Sequence, residues 1–74
     1  MIKPGDLIKA RDDIFAGDDN TYPPNTWISR GTIALVVSVG EEYSEHLVQI
    51  LVDEKTWWFH VHEDYLYDLV EVIS

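Results

Sequence analysis

The sequence of 74 residues contains no cysteine. This absence excludes disulfide frameworks, zinc sites built on thiolates and catalysis by a cysteine nucleophile. Apolar residues nowhere form the run of roughly 20 that a helix needs to span a bilayer. The opening residues, Met1 to Asp6, do not resemble the basic and apolar segments of a secretory signal. We therefore expect a soluble protein of the cytoplasm.

Basic side chains are scarce: five stand against 14 acidic ones, and the formal net charge is −9. The basic residues are Lys3, Lys9, Arg11, Arg30 and Lys55, which are single and scattered along the chain. Nucleic acids and anionic membranes are bound through clustered lysine and arginine. The sequence thus predicts no direct contact with nucleic acid or membrane. A basic protein partner, or solubility alone, accounts for the acidic charge.

The residues that are present suffice for one small core, since 46% are hydrophobic and 12% aromatic. We predict a single domain over 1–74. Alternation of apolar and polar residues predicts strands at 5–10, 32–39, 46–52, 56–62 and 68–73, with a helical turn at 63–66. Residues 11–29 are rich in turn formers and are predicted to form one long loop. In the strand 56–62, Trp57 and Phe59 should face inward and Trp58 outward.

Five strands in this order, with a long first loop and a short 3-10 turn before the last strand, predict an all-β fold of the SH3-like barrel type. Three segments also resemble small SH3-like barrel proteins of tailed bacteriophages, which are uncharacterised. They are Lys3-Pro4-Gly5-Asp6-Leu7-Ile8, the run from Arg30 to Val39, and the run from Trp57 to Ile73. Ala34 stands where a glycine is usual in that family. The resemblance implies a phage-encoded protein of the host cytoplasm or the virion, and it supplies no catalytic residues.

Histidines offer one possible metal site. His60 and His62 share a strand face about 7 Å apart, His46 belongs to the preceding strand, and Glu63 and Asp64 follow. A metal site needs three or four converging ligands, and local geometry places only two. We therefore favour a solvent-facing strand side and predict no metal and no cofactor.

Catalysis has no support in the sequence. The acidic residues between positions 12 and 19 lack the spacing of a calcium-binding EF-hand loop. The serines have no nucleophile elbow around them, and no glycine-rich phosphate loop is present. We predict that the protein is not an enzyme.

Aromatic and acidic residues are the more informative feature. SH3 domains use aromatic side chains beside an acidic loop to bind polyproline segments with a basic flank. By this comparison, the predicted protein-binding residues are Tyr22, Trp27, Trp58, Asp18, Asp19 and Tyr65. For Trp58, a structural role is equally supported, in which its side chain covers the end of the barrel. We expect Tyr43 to cap the barrel rim.

Three functions follow from these features. The leading one is a non-enzymatic protein-binding accessory module that engages a host or virion protein. The second is a structural virion component or homo-oligomer, because the strand 32–39 is apolar on both faces. The third is an acidic mimic of nucleic acid that inhibits a DNA-binding or defence enzyme, which requires a continuous stripe of carboxylates.

Overall fold

The chain forms one antiparallel sheet of seven strands in the computed structural model, which describes residues 2–18 and 23–74. The strands are β1 (Leu7–Ala10), β2 (Ile14–Asp18), β3 (Thr26–Ile28), β4 (Ile33–Glu42), β5 (Glu45–Val52), β6 (Lys55–His62) and β7 (Val70–Val72). A 3-10 turn at Glu63–Tyr65 and the short helix α1 (Leu66–Leu69) connect β6 to β7. Within the described ranges, no helix is long and apolar enough to cross a membrane.

The order of strands across the sheet is β3-β2-β6-β5-β4-β1-β7, and the sheet curls into a half-barrel. The all-β class and the 3-10 turn before the last strand are confirmed. The predicted number of five strands is wrong, since the described residues contain seven. The sheet follows the chain from β4 through β6 as successive hairpins, whereas β1 and β2 lie on opposite sides of this central unit.

The core lies on the inner side of the curled sheet, where alternate residues of β5 and β6 meet. Val48 pairs directly with Phe59, and both side chains are almost completely buried. The remaining buried apolar residues are Ile2, Ile8, Ala10, Ile14, Ala16, Ile28, Ala34, Val36, Ile50, Val61, Leu66 and Val70. As the alternation predicted, Phe59 faces inward and Trp57 packs against this core, while Trp58 lies on the outer side.

The predicted long loop at 11–29 is wrong over two segments, because β2 and β3 pair with each other there. Ile14 pairs with Ile28, and both side chains enter the core. β2 also joins β6 through the pairs Gly17–Trp58 and Asp18–Trp57. Turn-forming residues dominate the local sequence, but burial of alternate apolar side chains against distant strands outweighs that local preference.

A β-bulge interrupts β4 at Val37. Val36 pairs with Ile50 and Ser38 with Gln49, so Val37 is an extra residue without an opposite partner in the β4–β5 ladder. A bulge bends its strand and increases the local twist. Because of the bulge, Val36 on one side of it and Val39 on the other both pack toward the core.

The hairpin between β5 and β6 turns through two residues in the left-handed backbone region. Asp53 has φ 51° and Glu54 has φ 68°, and the flanking residues Val52 and Lys55 are paired. Two-residue hairpin turns of this kind favour glycine at the second position, because a side chain there clashes with the following carbonyl. The tight connection at Asp53-Glu54 therefore carries backbone strain.

Replacing Glu54 with glycine should stabilise the domain. Glycine removes the cost of the left-handed conformation, although it adds flexibility to the unfolded chain, so we expect a gain of about 1 kcal/mol in the free energy of unfolding. Urea denaturation measures this change. The control is Glu71→Gly on β7, where the backbone is extended and the same substitution should cost roughly 0.5–1 kcal/mol. A Glu54→Gly variant no more stable than the wild type contradicts the assigned strain.

Candidate protein-binding groove

The outer side of the sheet carries a shallow groove of about 480 Å³ across β4, β5 and β6. We call it the Trp58 groove; its lining residues are Ser38, Val39, Gly40, Leu47, Gln49, Trp58 and His60. Most of the exposed lining is apolar. Concave surfaces with an apolar lining and a few placed polar groups are the usual form of a binding site.

The groove exists because small residues on β4 face larger ones on β6. Gly40 and Ser38 lie on the β4 side, Trp58 and His60 form the β6 side, and β5 runs between them with Leu47 as an apolar floor. A Cβ built on Gly40 would meet Leu47 only at ordinary contact distance, 3.9 Å and beyond. A side chain at position 40 would therefore fill the groove without a clash in the backbone.

Trp58 is fixed in place rather than freely exposed. Its indole Nε1–H donates a hydrogen bond to the backbone carbonyl of Asp18 at 2.8 Å, and its ring meets the His60 ring edge-on at 5.6 Å between centroids. The hydrogen bond connects β6 to the end of β2. A half-buried tryptophan held in one orientation provides rigid contact area at little entropic cost on binding.

Asp18 contributes to this wall through its backbone, while its carboxylate has another role. Its Oδ2 lies 3.4 Å from Lys55 Nζ, which also stands 4.5 Å above the ring of Trp57. The Asp18 carboxylate is thus neutralised by a neighbouring lysine. Asp18, which the sequence predicts as a binding residue, accepts a hydrogen bond from Trp58 through its carbonyl and pairs with Lys55 through its carboxylate.

One end of the groove leads to an acidic surface around the β4–β5 hairpin. We call this surface the acidic tip; its residues are Glu41, Tyr43, Glu45, Glu63 and Asp64, all exposed. The backbone N–H of Glu63 donates to the carbonyl of Ser44 at 3.0 Å, which joins the hairpin to the 3-10 turn. Tyr43 is fully exposed at the apex, so the expectation that it caps the barrel rim is wrong.

Two other predicted binding residues, Trp27 and Tyr65, lie outside the Trp58 groove. Trp27 is 64% exposed and stacks on Phe15 at 4.8 Å, at the β3 edge of the sheet. Tyr65 is 63% exposed in the 3-10 turn and packs beside His62 at 5.8 Å. Asp19 and Tyr22 fall outside the described residues. Of the four predicted residues that the structure describes, Trp58 lines the groove and Asp18 lies behind it.

Sequence reasoning missed the groove residues on β4 and β5. Gly40 directly follows the predicted strand 32–39, and the sequence predicts no binding role for it. A glycine two residues after a serine on the same strand face, opposite an outward tryptophan, is the signal that could have indicated a depression there.

The three histidines do not converge. His46 faces inward, pairs with Val61 and is 3% exposed, whereas His60 and His62 lie on the outer side of β6. Among residues 2–18 and 23–74, no group of three or more potential ligands is close enough to hold a metal ion. His62 Nδ1 instead accepts a hydrogen bond from the backbone of Asp64 at 3.1 Å and caps the 3-10 turn.

Three of the five basic residues, scattered in sequence, meet in space. We call this site the basic cleft; it is lined by Lys9, Ala10, Arg11, Arg30, Gly31, Asp68 and Glu71. The view of the cations as isolated charges is therefore wrong for Lys9, Arg11 and Arg30. Pairing of β1 with β7, and the bond from Gly31 N–H to the carbonyl of Ala10 at 2.8 Å, bring them together.

Comparison of the chain with known protein families, curated protein sequences and solved structures finds no match.

Replacing His46 with leucine should not destabilise the domain at neutral pH. His46 Nδ1 is buried without a hydrogen-bond partner in the described structure, and the nearest carboxylate oxygen, Glu41 Oε1, is 3.7 Å away. An unsatisfied buried polar atom costs about 1–3 kcal/mol, which an apolar residue of similar volume avoids. We expect His46→Leu to unfold at the same or a higher urea concentration. His46→Ala is the control and should lose stability because it leaves a cavity.

Proposed function

We propose that the protein is a non-enzymatic protein-binding module of the SH3-like type, and that the Trp58 groove is its binding site. The supporting observation is an anchored tryptophan beside an apolar depression on the outer side of the sheet. Binding energy at protein interfaces concentrates at aromatic residues that pack next to such depressions. The groove is open to solvent, an arrangement that suits the docking of a side chain better than catalysis.

The charges around the groove favour a particular kind of partner. Among the residues that the structure describes, the lining has no Asp, Glu, Lys or Arg, while Glu41 and Glu45 lie beyond its Gly40 and Leu47 end. A matching segment has one large apolar side chain for the groove and a lysine or arginine a few residues away for the acidic tip. Such an arrangement combines apolar burial with charge complementarity, which sets orientation and speeds association.

The biological partner that we propose is a host or virion protein of a tailed bacteriophage system. This proposal rests on the resemblance of the Lys3–Ile8, Arg30–Val39 and Trp57–Ile73 segments to phage proteins. The curled all-β sheet and the short helical segment before the last strand agree with that resemblance at the level of fold class.

Selection of peptides from a random library against the immobilised protein tests the groove. We expect enriched sequences with a large apolar residue followed within a few positions by lysine or arginine. Gly40→Val should weaken a selected peptide by about tenfold or more, because the added side chain occupies the depression. Isothermal titration calorimetry measures the affinity, and circular dichroism checks the fold.

Trp27→Ala is the matched control, since Trp27 is an exposed aromatic residue outside the groove. It should change the affinity less than twofold. Peptides that bind Gly40→Val normally but fail with Trp27→Ala contradict the assignment and place the site at β3. A selection without any common sequence contradicts the function itself.

A second candidate function, a structural homo-oligomer, is favoured by the outer side of β4. Ala34 and Val36 are buried inside, yet Ile33, Leu35 and Val37 remain 36–48% exposed outside. Leu35 lies in register between Leu7 and Leu51, so an apolar row crosses three neighbouring strands. A sheet side of this kind usually carries polar residues unless another surface covers it.

Light scattering coupled to gel filtration tests the second candidate. We expect an average mass above that of the 8.6 kDa chain at micromolar concentration. Ile33→Thr should lower this mass, because it removes apolar area from the outer side of β4 and keeps a β-branched residue. Val72→Thr, at similar exposure on β7, serves as the control and should leave the mass unchanged. A monomer at every concentration rules this candidate out.

A further inference from the structure

We propose that copies of this chain associate head to tail, with the acidic tip of one copy seated in the basic cleft of the next. This inference rests on the second candidate function, the homo-oligomer, and is independent of the Trp58 groove. It follows from the separation of charge that folding produces in a chain with few basic residues.

The basic cleft is the receiving surface. Lys9, Arg11 and Arg30 are exposed around it, with Asp68 and Glu71 as the lining carboxylates. Arg11 and Glu71 approach only to 4.0 Å, and both side chains are about half exposed, so their ion pair contributes little stability. A carboxylate from another molecule can compete for Arg11 at little cost.

The cleft is rigid where Arg30 enters it. The backbone N–H of Arg30 donates to Asp13 Oδ1 at 2.8 Å, and Ala10 N–H donates to the Thr32 carbonyl at 2.9 Å. Gly31, with φ 89°, makes the turn between these two bonds. A pinned turn holds the base of the Arg30 side chain and reduces the entropy lost on binding.

The acidic tip is the complementary surface. Tyr43 is fully exposed at the hairpin apex; Glu41 and Glu45 lie on the two hairpin strands, and Glu63, which precedes Asp64, is bonded to the hairpin at Ser44. The tyrosine supplies apolar contact area, and Ile33, which pairs with Lys9 at the border of the cleft, is 48% exposed to receive it. The acidic tip thus offers carboxylates beside Tyr43, and the cleft offers three cations, with two carboxylates among them, beside Ile33.

Position in the fold makes the contact intermolecular. Ile33 begins the ten-residue strand β4 beside the basic cleft, Glu41 lies near the other end of β4, and Tyr43 follows just after it. The molecule measures only 28 Å in its longest direction, so β4 runs across most of it. One copy cannot bring its own tip to its own cleft. A contact between two different surfaces repeats from copy to copy and gives a ring or a filament.

Two variants, each with one surface disabled, test the inference by sedimentation velocity. Lys9→Glu with Arg30→Glu disables the cleft, and Tyr43→Ser with Glu45→Lys disables the tip. All four positions are exposed, so circular dichroism should show an unchanged fold. We expect self-association of each variant alone to weaken at least about tenfold. The cleft variant places two carboxylates opposite the acidic tip, whereas the tip variant loses the tyrosine and places a lysine opposite the cations.

The mixture of the two variants is the decisive sample. One variant keeps an intact tip and the other an intact cleft, so equal amounts should form a complex that stops at two chains. Wild-type assembly should also weaken in 0.5 M salt, because screening shortens the range of the charge attraction.

The possible results separate this inference from the homo-oligomer candidate. Wild-type assembly together with normal assembly of either variant overturns the head-to-tail contact and leaves the homo-oligomer standing. A mixture that stays monomeric, although the wild type assembles, also overturns it. A monomeric wild type overturns both.

Discussion

Burial of one side of the β4–β5–β6 unit is the constraint on which the rest of the structure depends. Val48 and Phe59 are paired directly across β5 and β6, and both are withdrawn from solvent. Because side chains alternate along a strand, fixing this pair fixes which residues of the two strands face out. Core packing alone therefore places Trp58 and Leu47 on the outer side of the sheet.

The bulge at Val37 allows the sequence of β4 to bury apolar side chains on the inner side of the sheet. Without an extra residue, the alternation that buries Val36 would carry Ser38 inward and Val39 outward. The bulge reverses the phase, so that Val39 packs inward and Ser38 and Gly40 face out. The same device that preserves the core thus places two small residues opposite Trp58, and the groove is a consequence of core packing.

Charge in this protein is segregated by folding and not by sequence. Along the chain the five cations are separate, yet strand pairing gathers three of them at one end of β4. Acidic residues from the β4–β5 hairpin and the 3-10 turn meet at the other end, where Ser44 and Glu63 are hydrogen-bonded. The two ends of the molecule consequently differ in charge: three cations lie beside Asp68 and Glu71 at one end, and carboxylates prevail at the other.

Apolar and polar residues alternate over 46–52 and 56–62, and glycine or acidic turns lie on either side. This pattern was enough to determine the all-β class and the tight turn at Asp53-Glu54. It also determined the orientations of Trp57, Trp58 and Phe59. These features depend on residues close in the chain, where the period of two carries the information. Only the tertiary structure decided that Ile14–Asp18 and Thr26–Ile28 are strands and that Gly40 faces Trp58 across β5. Each of these features depends on pairing between distant segments or on a one-residue shift in register. Neither the pairing nor the shift can be recognised from local composition.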